Sequence, residues 1–507
     1  MFDRYIKKIL SASVYDVAEE TPVHAARSLS KRLGNNILIK REDLQPIYSF
    51  KIRGAYNCIS KLTQAQRSCG VVAASAGNHA QGVAFSANHL GVDATIVMPK
   101  TTPDIKVKAV RAMGAEVILH GDSFPEAYAY SLSLVEQSGM IYIHPFDDEH
   151  TIAGQGTVAM ELLRQVQSGV DAVFIPVGGG GLIAGMSVYI KYLRPDIKVI
   201  GVEPEDAACL KAAMDAGERV VLKEVGTFAE GVAVAQIGEH NFELARHYVD
   251  EVITVTTDEL CAAIKDIYDD TRAVTEPSGA CALAGLKKYV ERENALEQTL
   301  IAVASGANLN FDRLRHVAER AEIGEGREAI IAAQIPERPG SFEQFCTALG
   351  DRNITEFNYR YASASQAQVF VGVTVKPGEV AADDLLSELS SHQINAIDLT
   401  HNEMAKSHVR YMVGGHANVE NEVVYRFTFP ERPGALLKFL KKLGRVWNIS
   451  MFHYRNHGSA YGRVLVAMQV AAQDKEQFEG YLNELDYAFH EETNNPAYEL
   501  FLAPEES

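Results

Sequence analysis

Four short segments hold the groups best suited to chemistry. YSFKIRGA (48–55) sets one lysine, Lys51, directly behind Phe50. SAGNHAQG (75–82) supplies Ser75, Asn78 and the backbone N–H groups of 76–79, which suit a carboxylate or a ring hydroxyl. AVFIPVGGGG (172–181) runs an apolar strand into four glycines, Gly178, Gly179, Gly180 and Gly181, with a helix expected from about Leu182. A tight turn needs one or two glycines. Four, placed before a helix start, let consecutive N–H groups converge into a phosphate cradle. LIAVASGAN (300–308) ends a buried strand at Ser305, where a side chain can face the crevice at the carboxyl edge of a sheet.

Two ligand classes fit parts of this set. Gly179, Gly181 and Ala184 match a dinucleotide pattern, and Glu203 closes the next strand, KVIGVE, at about the usual distance of 20 residues. A second match, Gly154–Gly156–Ala159, follows no clear strand. A dinucleotide has no use for the lysine. A loop lysine, a phosphate cradle, an Asn loop and a strand-end serine together are what pyridoxal phosphate requires. Singly, the Ser, Gly and Asn residues are ordinary turn formers.

The elements that must position these groups follow two rhythms. From about 20 to 320, short apolar runs alternate with helical patterns. GVVAAS leads to a helix over Asn78–Leu90, and DATIVMP follows. Thr102–Pro103–Asp104 reads as N-cap, first-turn proline and early acid. AEVILH, a helix opened at Ser123 and the strand MIYIHPF come next. This pattern predicts a parallel sheet covered by helices. The remainder repeats itself: IPERPGSFEQFCTALGDRNITEFNYR (335–360) is echoed by FPERPGALLKFLKKLGRVWNISMFHYR (429–455). Pro339–Gly340 matches Pro433–Gly434; with one inserted residue, Ile354, Phe357 and Tyr359 match Ile449, Phe452 and Tyr454. Each copy reads as β-α-β-β-α-β, the ferredoxin-like arrangement. The expected division is a strand–helix domain at 1–320, a linker at 321–328, and two repeat subdomains at 329–415 and 420–504.

The 507 residues allow two to four domains, and 47% hydrophobic content suits globular cores. A formal charge of -18 argues against nucleic acid and against anionic membranes. Cys58, Cys69, Cys209, Cys261, Cys281 and Cys346 show no zinc-like spacing and read as reduced cytoplasmic thiols, with no metal site expected. The N-terminal MFDRYIKKIL lacks the apolar core of a signal peptide. The uncharged stretch 172–190 contains Pro176 and five glycines, so strand, turn and helix are expected there in place of a membrane span.

The SFK-RGA, SAGNHAQG and GGGGL segments resemble the tryptophan-synthase-β-like, fold type II pyridoxal phosphate enzymes, and within these the biosynthetic threonine deaminase family. The duplicated C-terminal part is similar to that family's paired ACT-like regulatory subdomains. The resemblance implies an α/β fold: a catalytic domain of two open α/β subdomains, then an α+β regulatory domain. By the same resemblance Lys51 carries pyridoxal 5'-phosphate as a Schiff base and Phe50 lies against its ring. Asn78 contacts the ring hydroxyl, Gly178–Gly181 with Leu182 the phosphate, and Ser305 the pyridine nitrogen. The loop Ser75, Ala76, Gly77, Asn78 and His79 takes the substrate carboxylate.

Implied chemistry is β-elimination. Lys51, its amine made less basic by burial, removes the Cα proton of L-threonine. The β-hydroxyl leaves, protonated by the cofactor phosphate, and the released enamine hydrolyses to 2-oxobutanoate and ammonia. A serine at the pyridine nitrogen makes the ring a weaker electron sink than an Asp would, favouring prompt elimination over transamination. Serine racemases carry a serine as second base where this chain has Ala76. Their divalent-cation site pairs an acid matching Glu203 with another six residues later, where this chain has Cys209. Both departures favour dehydration over racemisation. Isoleucine as inhibitor, valine as its opponent and a homotetramer are further implications. Pro339, Gly340, Phe357, Tyr359, Pro433, Gly434, Phe452 and Tyr454 mark the regulatory pocket region. L-Serine dehydration, a catalytically inactive amino-acid sensor and a dehydrogenase stand as alternatives.

Overall fold

The computed structural model describes residues 2–167, 169–336, 341–350, 352, 354–359, 366–375, 381–411, 421–430, 447–455, 461–485 and 487–503. The chain forms two compact units, Met1–Ala321 and Glu322–Ser507.

Two sheets build the first unit. The larger runs in the order Val23–Ala25, Asn36–Arg41, Thr299–Ala304, Ala172–Pro176, Lys198–Pro204, Glu251–Val255. Its first pair is antiparallel and the rest are parallel. The smaller sheet, Glu116–Leu119, Ala94–Met98, Val71–Ala74, Ile141–Tyr142, is parallel throughout. Central strands such as Val71–Ala74 and Ala172–Pro176 are buried at every position, because helices cover both faces of a parallel sheet. That explains their unbroken apolar runs.

Local chemistry sets the helix limits. The helix Asn78–Leu90 has the expected bounds and ends at Gly91 in the left-handed region, φ 64°. The stretch 172–190 becomes strand, glycine turn and the helix Gly181–Leu193. No helix among the described residues is long and apolar enough to cross a membrane. Two boundaries differ from the sequence reading. Pro103 is extended at ψ 138° and occupies the cap, so that helix begins at Asp104. The strand expected through MIYIHPF stops at Tyr142, because His144 Nδ1 accepts the backbone N–H groups of Phe146 and Asp147 and curls the chain into a loop.

Among the described residues the second unit contains two four-stranded antiparallel sheets. One orders Ile354–Tyr359, Gln366–Thr374, Glu328–Pro336, Asn395–Asp398. The other orders Asn448–Arg455, Tyr461–Gln469, Glu422–Pro430, Ala488–Glu491. The copies agree down to an irregularity: register shifts between Ile354 and Glu356 in one and between Ile449 and Met451 in the other. Phe357 and Tyr359 pair with Val371 and Val369, while Phe452 and Tyr454 pair with Val466 and Val464. Buried side chains from both copies, among them Ile330, Phe370, Val424 and Leu465, share one cluster. Pro339–Gly340, Pro433–Gly434 and the helix expected after Pro433 lie outside the described residues. Part of the expected linker is helical, since Arg313–Gly324 continues to Gly324.

Candidate active site

The carboxyl ends of the large sheet's central strands meet the start of the helix Lys51–Ser60 at one cleft. Phe50, Lys51, Asn78, Gly178, Gly179, Gly180, Gly181, Leu182 and Ser305 all line it. Six groups drawn from elsewhere complete the lining: Phe146, Pro176, Gly231, Val232, Glu276 and Ser278. The cleft encloses about 420 Å³ of atom-free space, part of it open to solvent.

Lys51 and Ser305 are brought together by backbone pairing. Phe50 N–H donates to Ser305 O at 3.2 Å, Ala307 N–H donates to Tyr48 O at 2.9 Å, and Ser49 bridges Gly306. Tyr48 adopts φ 56° to make this approach, a left-handed conformation that is costly for a bulky residue. Lys51 Nζ donates to the carbonyl of Pro145 at 2.8 Å. Burial pulls this amine down to about 8. Ser305 is 3% exposed, and its hydroxyl donates to Ser278 O at 3.3 Å.

Beneath the helix bearing Lys51 lies a buried ionic network. Arg53 donates to Glu42 at 2.8 Å and to Glu161 at 2.5 Å, and Lys40 Nζ donates to Glu161 at 2.6 Å; none of these side chains is exposed. Two cations balance two carboxylates, so each charge is paired as burial demands. The network joins the lysine helix to the strand Asn36–Arg41 and the helix Glu149–Gln165.

The glycine run is fixed from behind. Gly178 O accepts from Cys209 Sγ at 3.4 Å, Gly179 O from Asn241 Nδ2 at 2.7 Å and Gly238 N at 3.1 Å, and Gly180 O from Ala184 N at 2.9 Å. In a planar trans peptide the N–H points opposite to the carbonyl it follows. Anchoring these three carbonyls therefore aims the N–H groups of Gly179, Gly180 and Gly181 away from the anchors. Packing leaves no room for side chains. A Cβ at Gly178 would sit 2.8 Å from Val232 Cα, one at Gly179 2.2 Å from the Phe146 ring, and one at Gly181 2.9 Å from Phe146 O. Gly180 also has φ 93°. Fixed amides at a 13-residue helix's positive end, facing an amine, a carboxamide and a hydroxyl across one cleft, are a donor set that fits pyridoxal phosphate.

The Asn loop divides. Asn78 lines the cleft, whereas Ser75, Ala76, Gly77 and His79 are not among its lining residues. Ser75 Oγ accepts Gly77 N–H at 3.3 Å, closing the turn. His79 is buried, and its Nε2 lies 2.8 Å from the carbonyl of Ile143. Burial and nearby Lys51 push its imidazole down to about 3, so it is neutral. Nε2 is then the donor, and Nδ1 has no partner among the described residues.

Glu203 has another task than a dinucleotide site would give it. It is fully buried, and its two oxygens accept Leu210 N–H and Lys211 N–H, each at 2.8 Å, at the start of the helix Cys209–Ala216. Gly154 and Gly156 sit inside the helix Glu149–Gln165, with no strand-to-helix turn there. A Cβ at Gly154 would meet Arg53 O at 2.6 Å, so these glycines serve close helix packing. Among the described residues no group of three His, Cys, Asp or Glu could hold a metal.

Sequence reasoning missed Glu276, Phe146, Asn241 and the Pro145 carbonyl. The only local trace of Glu276 is the helix-start signal in EPSGA, and HPFDD reads as a turn.

The pyridoxal-phosphate dependent enzyme family matches residues 14–306. The C-terminal regulatory domain of threonine dehydratase matches twice, at 319–409 and 413–502. L-threonine dehydratase biosynthetic IlvA of Burkholderia multivorans is 55% identical over 504 residues, covering 98% of this chain and 99% of that protein. The Escherichia coli protein of the same name is 55% identical over 500 residues, covering 98% and 97%. A solved structure of processed threonine deaminase isoform 2 from Solanum lycopersicum superposes with a TM-score of 0.62 at 49% identity, covering 63% of this chain and 93% of that one. Matched in both its parts, this chain belongs to the pyridoxal-phosphate dependent enzymes and, within them, to the biosynthetic threonine dehydratases with a duplicated regulatory domain.

Proposed function

We propose that this chain dehydrates and deaminates L-threonine to 2-oxobutanoate and ammonia, the entry to isoleucine synthesis. The observation that supports this most is the convergence of Lys51, Asn78, Gly178–Gly181 and Ser305 on one cleft. Pyridoxal phosphate bound there supplies a reactive aldehyde and an electron-accepting ring that stabilises negative charge at the substrate Cα.

The chain's own groups do the rest. Lys51 holds the cofactor until substrate arrives. Its amine, near 8, is neutral often enough at neutral pH to take the Cα proton. Pro145 O keeps that amine at the cleft. The N–H groups of Gly179–Gly181, with Leu182 at the helix start, hold the phosphate. Asn78 holds the ring hydroxyl, Ser305 the pyridine nitrogen, and Phe50 packs on the ring. Ser75, Ala76, Gly77, Asn78 and His79 form the turn that receives the substrate carboxylate through backbone N–H groups. Loss of the β-hydroxyl as water leaves an enamine that takes up water again off the enzyme, giving the 2-oxo acid and ammonia. Ala76 and Cys209 argue against racemisation, because Ala76 does not supply the second base and Cys209 does not supply the second carboxylate of the divalent-cation site that serine racemases have.

Catalysis belongs to 1–320 and regulation to 329–415 and 420–504, joined at 321–328. Isoleucine inhibits and valine opposes it through the repeats, near Phe357, Tyr359, Phe452 and Tyr454 and the two Pro–Gly turns. The working form is a homotetramer in the cytoplasm, and L-serine is a secondary substrate. The test is the visible spectrum of the purified protein before and after L-threonine, with 2-oxobutanoate assayed in the same cuvette. A yellow protein perturbed by threonine and releasing 2-oxobutanoate is expected. A protein that stays colourless after pyridoxal phosphate is supplied overturns the proposal.

A further inference from the structure

Asn78 is gripped at both ends of its carboxamide. Oδ1 accepts from Asn308 Nδ2 at 2.7 Å, and Nδ2 donates to Glu276 Oε1 at 2.6 Å. Asn308 is itself committed, since the same Nδ2 donates its other hydrogen to Ile47 O at 2.9 Å. Glu276 Oε1 also accepts Ser278 Oγ–H at 2.8 Å, and Glu276 N–H donates to Gly306 O at 3.2 Å. An amide flip at Asn78 would set nitrogen against nitrogen at Asn308 and oxygen against oxygen at Glu276. A primary carboxamide has one carbonyl oxygen and two N–H groups. With the oxygen and one N–H taken, the second N–H is left over.

We propose that Asn308 and Glu276 are positioning residues that fix the Asn78 carboxamide so that its second N–H serves the cofactor's ring hydroxyl. This rests on the cofactor role given to Asn78 above. Glu276 lines both the cleft and a neighbouring pocket of about 280 Å³ that Asn308 also lines, so the relay forms the wall between them. The backbone is shaped to allow it. A Cβ at Gly306 would lie 2.5 Å from Glu276 Oε1 and 3.3 Å from Asn78 Nδ2, and one at Gly231 would lie 2.5 Å from Ser278 Oγ. Burial pushes the Glu276 carboxyl up, toward its neutral form. A neutral acid keeps a carbonyl acceptor for Asn78, and so does glutamine. Glu276→Gln should therefore preserve the relay, while Glu276→Ala should break it.

The test titrates pyridoxal phosphate into the full-length apoprotein, following the visible band, with thermal unfolding of each apoprotein as the folding control. Asn308→Ala and Glu276→Ala are expected to weaken cofactor affinity about tenfold and to move the band as Asn78→Ala does. Glu276→Gln should remain close to the parent. Because Asn308 acts through Asn78, the double variant N78A/N308A should be no weaker than N78A alone. Additive losses, or an N308A protein with parental affinity and band, overturn the relay while leaving the role of Asn78 intact. An N78A protein with parental affinity and band removes the role of Asn78 and the relay with it. Should N308A fail to fold, equal affinities for E276A and E276Q overturn the proposal.

Discussion

The two units achieve function in opposite ways. In Met1–Ala321 the working groups occupy irregular joints: a left-handed Tyr48 before Lys51, a glycine run with three carbonyls pinned from behind, a serine just past a strand. In Glu322–Ser507 the same sheet is built twice, with a register shift at the equivalent place and aromatic residues opposite an equivalent pair of valines. Chemistry needs different groups to converge on one point, which favours unique loops on a rigid frame. Response to small effectors can be served by two equivalent seats, which favours duplication.

Breaking the frame should cost most. Arg53→Met leaves Glu42 and Glu161 without their shared cation in a fully buried site. A loss of about 3–5 kcal/mol in unfolding free energy is expected, read by denaturant titration of the apoprotein. A loss under about 1 kcal/mol would mean that the network is not what holds the lysine helix.

Next comes the cradle. Gly179→Ala drives a methyl into the Phe146 ring. Overpacking should lower the apoprotein's unfolding free energy by about 1–3 kcal/mol, and the displaced cradle should weaken pyridoxal phosphate binding by about tenfold or more. Parental affinity would show that the cradle tolerates what its packing forbids.

A smaller effect concerns pH. Only the neutral amine attacks a carbonyl, and burial pulls Lys51 to about 8. Attachment of pyridoxal phosphate to the apoprotein should accelerate as pH rises through about 8 and then level off. A midpoint near 10, the value of an exposed lysine at about 10.4, would contradict the buried setting.

The least disturbance to turnover is expected from removing the second unit. A chain ending at Glu325 should retain threonine turnover within about twofold and lose its response to isoleucine. Retained inhibition would place the effector site in the first unit and break that contrast.

Legibility in the sequence follows the range of the interaction. The helix Asn78–Leu90, the strand–glycine–helix passage at 172–193 and the internal repeat could all be read, because each is dictated by neighbours in the chain. Lys51, Asn78, the glycines and Ser305 stood out by residue type and local setting. Glu276 did not, since it meets Asn78 across 198 positions and looks locally like the start of a helix. Phe146 was equally silent: it enforces Gly179 by packing, which no spacing rule encodes. Pro145 contributes only a carbonyl, and every residue has one. His79 was read with the substrate loop, yet its ring turns inward to Ile143, a direction set by the helix that Asn78 begins.

The central claim is that Lys51, among all the lysines, carries the cofactor. The most direct test is to reduce the holoprotein with borohydride, digest it and locate the pyridoxyl group by mass spectrometry. The account predicts one modified peptide, labelled at Lys51, and no label once threonine has been reduced in its place. A label on any other lysine, or none on a yellow protein, would contradict it.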